Sequence, residues 1–337
     1  MTSNHKVITS SRQVIGLLPY SIKRVILGRT FYFPLFISRR VLFFLTQPLA
    51  SERRWIHKVI REDWKGVWIT PHAKNATEAE KQATELDRII LYIHGGGFSL
   101  GYSTMYMSFF QQLIKSLHTQ FKLSTAILSV EYSLCPEHRW PTACHECVNA
   151  YRYLVHEVGI SPSKIVVIGD SAGGNLALTT LLSIRDLKRE RQEKKEKDLP
   201  PLPLPSKVAL LSPWVDLSLR QYPKRPDCIL PDLIEMYVRN YVVDMTEASL
   251  KHPLVSPTYA SLDQLDSTQW LICYGQHEIL GPSIESFIDK VKGHKYDVTV
   301  SECDGEGHAS FVHTMMSSSP VAYERDVRVL VNWISNL

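Results

Sequence analysis

Residues 165–174 pass from Ile165, Val166, Val167 and Ile168 through Gly169 and Asp170 to Ser171, then through Ala172, Gly173 and Gly174 into helix-forming residues. A serine with glycine two positions away on either side, set between a strand-like run and a helix-like run, is presented on a sharp turn with its hydroxyl outward. Gly169 and Gly173 suit such a turn, since a side chain at either would collide with the neighbouring strand or helix. A serine hydroxyl is a poor nucleophile at neutral pH and needs a base within hydrogen-bond reach and a carboxylate to orient that base. The negative charge that forms on an attacked carbonyl also needs donors. His94 is followed by Gly95, Gly96, Gly97 and Phe98, a turn whose glycines leave backbone N–H groups uncovered and free to face a ligand oxygen.

The strand, serine turn and helix form the pattern of a nucleophile elbow in the α/β-hydrolase fold, where the order along the chain is Ser, then Asp or Glu, then His. Several residues compete for the later two places. Asp304 and Glu306 stand too close along the chain to His308 to orient it from its far side, and Asp289 falls within an expected helix. His277 adjoins the preferred acid, and His313 is expected where the chain enters a helix. Glu278, just past an apolar strand, and His308, after a glycine-rich turn at a strand end, fit the order and the placement. Catalytic groups of open α/β sheets gather beyond the carboxyl ends of the strands.

The elements that must hold these groups can be read in order. Strand-like runs begin after Trp64, at 67–70 and 88–93, and recur at 126–132, 165–168, 207–214, 269–275 and 298–300. Helices are expected from about Pro141, from the elbow through 175–182, over 282–291 and over 321–334. Residues 185–198 carry mixed charge and run into a Pro-rich stretch, which reads as an extended surface loop or a solvated helix end. Residues 222–252 read as an inserted cap with a helix near 232–238, rich in aromatic residues. The fold class is thus α/β, a mostly parallel sheet flanked by helices with an N-terminal and an inserted helical cap. The expected division is a segment over 1–60 and a catalytic domain over 61–337.

The net charge of +4 over 337 residues gives no argument for nucleic acid, yet the first fifty residues contain no acid. Lys6, Arg12, Lys23, Arg24, Arg29, Arg39 and Arg40 lie there among apolar groups. No uninterrupted run reaches the roughly 20 apolar residues of a spanning helix. Arg39, Arg40 and Pro34 break the best candidate, and no cleavage site follows. The segment therefore reads as an anchor at an anionic membrane surface, as a cap over the site entrance, or as both. The six cysteines show no disulfide scaffold and are expected to be mostly free and buried, with Cys144 and Cys147 on a helix face. Asn75 with Ala76 and Thr77 is a glycosylation acceptor if the domain faces a secretory lumen.

The His94 glycine motif, the stretch from Tyr132 through Pro136 to Glu137, and the elbow around Ser171 resemble the three successive signatures of the hormone-sensitive-lipase-like esterases. Ser256 to Ala260 is similar to that family's segment after the cap, so the resemblance covers residues 65–337. It implies an ester hydrolase with Ser171, Glu278 and His308 as triad. The N–H groups of Gly95, Gly96, Gly97 and Ala172 would hold the oxyanion, with no metal or organic cofactor. The family acid is usually aspartate, so Glu278 is a departure. With the basic apolar N-terminus it is also similar to fungal steryl acetyl hydrolases, which implies a hydrophobic ester such as an acetylated sterol and a place at the endoplasmic reticulum membrane, with the cytoplasm as the alternative. The competing reading is a catalytically silent protein of the same fold that binds a hydrophobic ligand.

Overall fold

The computed structural model describes residues 14–194, 201–218 and 222–336. Lys6, Arg12 and residues 195–200 of the charged and Pro-rich stretch lie outside the described residues.

Eight strands form one sheet: β1 (Ile56–Ile60), β2 (Lys65–Ile69), β3 (Arg88–Ile93), β4 (Thr125–Val130), β5 (Ile165–Asp170), β6 (Lys207–Leu211), β7 (Gln269–Gly275) and β8 (Val298–Cys303). Their spatial order is β1-β2-β4-β3-β5-β6-β7-β8. β2 pairs antiparallel with both β1 and β4, and all later pairs are parallel. The inner strands read as unbroken apolar runs because both faces are covered. One face carries Trp68, Leu91, Ile93 and Val167 under the helices Thr142–Arg152, Ala172–Lys194 and Gly281–Gly293. The other carries Ile90, Tyr92 and Ile168 under Met107–Phe121 and Pro320–Ser335.

Elements outside the sequence expectations include β1 and two helices, Ala76–Ala83 and Met107–Phe121. β1 alternates in burial and pairs with β2, so the sheet begins at Ile56, before Trp64, and a domain boundary at residue 60 would cut through it. Its single buried stripe gives a short edge strand little hydrophobic signal. Helix Met107–Phe121 buries Phe110, Leu113, Ile114 and Leu117, spaced at i, i+3, i+4 and i+7. Two expectations shift. The charged run from Arg185 continues the elbow helix as far as Lys194, because Lys, Arg and Glu are good helix formers and the run is solvated. His313 lies in a turn, and the last helix starts only at Pro320 behind the N-cap Ser319.

The N-terminal segment forms two helices, Tyr20–Phe31 and Leu35–Thr46, split at Pro34. They pack at the carboxyl end of the sheet beside the cap helix Pro231–Tyr241, which occupies the expected insertion. All six cysteines are free and buried, and Cys144 and Cys147 lie in helix Thr142–Arg152 as expected. Asn75 is exposed and caps helix Ala76–Ala83, accepting the Glu78 N–H at 2.9 Å through Oδ1.

Candidate active site

β5 ends at Asp170, and Ser171 takes a left-handed backbone conformation, φ 54°, that non-glycine residues rarely adopt. The surroundings enforce it. Ser171 N–H donates to Leu211 O at 2.9 Å, and Ser171 O accepts the Trp214 N–H at 3.0 Å. A Cβ on Gly169 would lie 2.1 Å from Gly173 O, and one on Gly173 would lie 2.0 Å from Ile93 O. Neither position admits a side chain.

His308 Nε2 stands 2.8 Å from Ser171 Oγ, and His308 Nδ1 stands 2.7 Å from Glu278 Oε1. The three residues come from the ends of β5, β7 and β8, which are spread across half the sheet, and meet above its carboxyl edge. Glu278 is wholly buried. Its second oxygen accepts the Ser212 hydroxyl at 2.7 Å and the Gly275 N–H at 3.0 Å, so its lone pairs are satisfied without a second cation. Burial disfavours the imidazolium of His308. The charge and hydrogen bond of Glu278, followed by the charges of Asp227 and Asp170, outweigh that penalty and raise its pKa above the ordinary 6.5.

Among the expected oxyanion donors the structure makes a distinction. Gly95 N–H donates to Asp170 Oδ1 at 3.0 Å and is therefore already committed, which removes Gly95 from the set. Among the described residues the N–H groups of Gly96, Gly97 and Ala172 have no protein acceptor. Gly96 and Gly97 line the cleft with Ser171, both at positive φ. A Cβ at Gly97 would strike the Tyr237 ring of the cap helix at 2.5 Å, so the glycine is what allows the cap to close on this turn. Asp170 also accepts the hydroxyls of Tyr92 at 2.8 Å and Tyr106 at 2.9 Å. Burial raises its pKa to about 6, against the lowering effect of these bonds. His94 itself stacks on Tyr132, centroids 4.2 Å apart, and shapes the turn from beneath.

None of the competing acids and bases joins the hydrogen-bonded series at Ser171. Glu306 is buried and takes the Ser318 N–H at 2.8 Å, Asp304 is exposed, and His313 Nδ1 accepts the Met315 N–H at 3.0 Å. Two residues that sequence reasoning passed over brace the series Ser171–His308–Glu278. Ser212, at φ 49°, donates to Glu278 and accepts the Ala309 N–H at 3.0 Å, linking the acid to the loop of the base. Asp227, in the segment before the cap helix, accepts the His308 N–H. A serine directly after a strand was a weak signal for the first; a lone loop aspartate gave none for the second.

The cleft above Ser171 encloses about 1050 Å³ including its open mouth. Its walls come from Leu27 and Phe31 of the first helix, Leu42 and Leu45 of the second, Ile229, Leu233 and Ile234 around the cap, and Met315 and Met316 beyond His308. The N-terminal segment is thus a cap in the strict sense. It is bolted to the base loop by Lys23, which is fully buried and donates to Ser317 O at 2.9 Å and Thr314 O at 3.4 Å. Arg39 forks onto Glu137 at 2.7 and 2.8 Å.

A family described as having the alpha/beta hydrolase fold matches residues 90–312. An esterase of Acinetobacter venetianus is 31% identical over 220 residues, 64% of this chain and 64% of its own length. The putative steryl acetyl hydrolase mug81 of Schizosaccharomyces pombe is 27% identical over 222 residues, 62% of this chain and 55% of its own. The chain thus spans less than two thirds of these relatives. A crystal structure of EstE5 soaked by ethyl alcohol superposes with TM-score 0.71 at 25% identity, covering 93% of this chain and 98% of that one. A hormone-sensitive lipase from a metagenome library shares the fold at TM-score 0.71 and 24% identity, covering 94% of this chain and 98% of its own. With strand order, elbow and family match in agreement, the chain belongs to the α/β-hydrolase family.

Proposed function

We propose that the protein is a serine carboxylesterase that cleaves an apolar carboxylic ester through an acyl-serine intermediate. The observation that carries this reading is the hydrogen-bonded series Ser171–His308–Glu278 at the floor of an apolar cleft. Ser171 Oγ attacks the ester carbonyl carbon while His308 Nε2 takes its proton, and Glu278 holds the opposite face of the imidazolium. The carbonyl oxygen, now negative, faces the N–H groups of Gly96, Gly97 and Ala172. Each such donor lowers the barrier by about 3 kcal/mol. The imidazolium returns its proton to the departing alcohol, and water activated by the same histidine releases the acid. The residues suffice for every proton and charge in this sequence, with no cofactor.

The narrower reading is an acetylated sterol presented at a membrane surface. The steryl acetyl hydrolase named among the relatives and the aliphatic walls of the cleft support the sterol. Support for the membrane comes from the outer faces of the first two helices, where Ile22, Val25, Ile26, Tyr32, Phe33, Phe36, Phe43 and Phe44 are exposed, with Arg29 and Arg40 exposed among them. An apolar patch rimmed by cations fits an anionic bilayer interface. The charge is smaller than the sequence suggests, because Lys23 is buried and Arg39 is paired with Glu137. Among the described residues no helix is long and apolar enough to cross a membrane. A location at the endoplasmic reticulum rests on the resemblance to steryl acetyl hydrolases alone.

The test is a fluorophosphonate probe on the full chain, combined with a panel of p-nitrophenyl esters, triacylglycerols and sterol acetates. Stoichiometric labelling at Ser171 and turnover of sterol acetate are expected; an unlabelled serine would sink the hydrolase reading, and turnover confined to short soluble esters would remove the sterol. The membrane is tested separately by flotation with phosphatidylcholine vesicles, with and without phosphatidylserine. Flotation that needs phosphatidylserine and is lost in Phe36→Ser/Phe44→Ser is expected, and equal flotation of both proteins overturns the docking face.

A further inference from the structure

Asp227 stands at a crossing of three segments, each with a separate part in the site. It precedes the cap helix, whose root residue Ile229 and first-turn residues Leu233 and Ile234 line the cleft. The side chain is almost fully buried, at 5% exposure, yet among the described residues no ion pair joins it to a cation. Its oxygens are instead spent mainly on backbone, with the Cys228 thiol as a further neighbour. Oδ1 accepts the Cys228 N–H at 2.6 Å and the His308 N–H at 3.2 Å, and Oδ2 accepts the Ile279 N–H at 2.8 Å. Ile279 follows Glu278, so one carboxylate grips the backbone next to the acid, the backbone of the base itself and the root of the cap.

We propose that Asp227 is a positioning residue of the triad: its carboxylate sets the spacing between the Glu278 and His308 loops and fixes the cap to that spacing. The inference rests on the esterase reading above and adds to it the element that registers acid against base. β7 and β8 are adjacent strands, but the catalytic side chains leave from loops beyond their ends, where the sheet ladder no longer sets distance. Ser212 ties these loops by one hydroxyl, from Glu278 to Ala309 N. Asp227 ties them on the backbone side, through Ile279 and His308. The 2.7 Å contact between Nδ1 and Oε1 is thus bracketed from both directions. Buried carboxylates that accept backbone N–H bonds hold loops firmly because leaving any of those donors unpaired carries the full desolvation cost.

The carboxylate also acts at a distance on the imidazole. The ionisable groups facing His308 are Glu278 from the loop after β7, Asp227 from the segment before the cap and Asp170 from the end of β5, and all three favour the imidazolium. Those facing Asp227 are His308, Cys228 beside it and Tyr20 of the first helix. Arg225 is turned to the carbonyl oxygens of Gln276 and Glu278, 3.1 Å from each. Removing the Asp227 charge should therefore lower the proton affinity of His308, an effect that loop packing alone would not give.

The experiment compares Asp227→Asn with the wild-type full chain. Asparagine keeps the volume and one acceptor, but its amide sets N–H against N–H at Ile279 or at His308. The expected result is a fall in kcat on p-nitrophenyl acetate of about 10- to 100-fold, with KM changed by less than about threefold, as for a base displaced from its productive position. The His308 pKa, followed by NMR titration of the resting protein, is expected to move down. A wild-type kcat with an unmoved His308 pKa overturns the proposal, whatever happens to Tm. The titration needs no turnover, so it reads Asp227 even if the esterase reading fails, and the labelling of wild-type Ser171 reads that failure by itself. If the variant does not fold, amide hydrogen exchange of the wild type decides: protected Ile279 and His308 amides that open together support the clamp, and rapid independent exchange of either overturns it.

Discussion

Ser171→Ala is expected to lower kcat for ester hydrolysis by about 10⁶-fold while leaving the fold and Tm nearly intact. The size follows from what the hydroxyl does. It is the atom that bonds to the carbonyl carbon, and His308 Nε2, 2.8 Å away, is placed to take its proton. Without it the remaining catalysis is the polarisation of a bound ester by Gly96, Gly97 and Ala172, which leaves a rate above that of water but far below the enzyme. Stability is spared because the constraints on the elbow lie in its backbone. The bonds of Ser171 N–H to Leu211 O and of Ser171 O to Trp214 N–H survive the change, and alanine pays a similar cost for the left-handed conformation. Steady-state kinetics with p-nitrophenyl acetate alongside thermal melting checks both halves. Activity within tenfold of the wild type would remove Ser171 as nucleophile.

Glu278→Gln is the second large effect, with an expected loss in kcat of about 10⁴-fold at neutral pH. The glutamine has the same shape, and its single carbonyl oxygen can face either His308 Nδ1 or the two donors Ser212 Oγ and Gly275 N–H. The two donors pull the oxygen toward themselves, so the amide NH₂ turns to His308. A donor opposite Nδ1 forces the neutral imidazole to carry its proton on Nε2, the nitrogen that faces Ser171. The base then presents a proton where it must accept one. Binding is untouched by this argument, so KM should move by less than about threefold while kcat collapses. A glutamine variant with kcat within tenfold of the wild type would show that another group orients His308.

The side chains that meet at the proposed catalytic site were legible in the sequence because the proposed chemistry demands particular residue types in particular places. The elbow needs Gly169 and Gly173, and the structure gives the reason as backbone oxygens within 2.1 Å of where a Cβ would stand. Glu278 and His308 were legible through order and strand ends, and the buried inner strands through unbroken apolar runs. The groups that brace these residues were not. Asp227 and Ser212 act through hydrogen bonds to segments 81 and 66 positions away, and nothing in their neighbours marks a side chain that will end beneath a distant loop. Gly95 was legible as part of a glycine turn, but only the placement of Asp170 shows that its N–H is taken. The N-terminal helices gave their apolar residues to sequence reading, but not which side would face the cleft. A basic residue in an apolar stretch reads as surface charge, and Lys23 is fully buried against carbonyl oxygens.

That buried ammonium, with Tyr20 packed on Gly307, closes the chain on itself: the first described full helix grips the loop that carries His308. The placement of the first helix and that of the His308 loop therefore depend on each other. Removing the first helix would strip two carbonyl groups of their donor, open one wall of the cleft and free the imidazole loop in a single cut. One wall of the cleft and the tie that holds the His308 loop are written into the same twelve residues, so a change that suits one is constrained by the other.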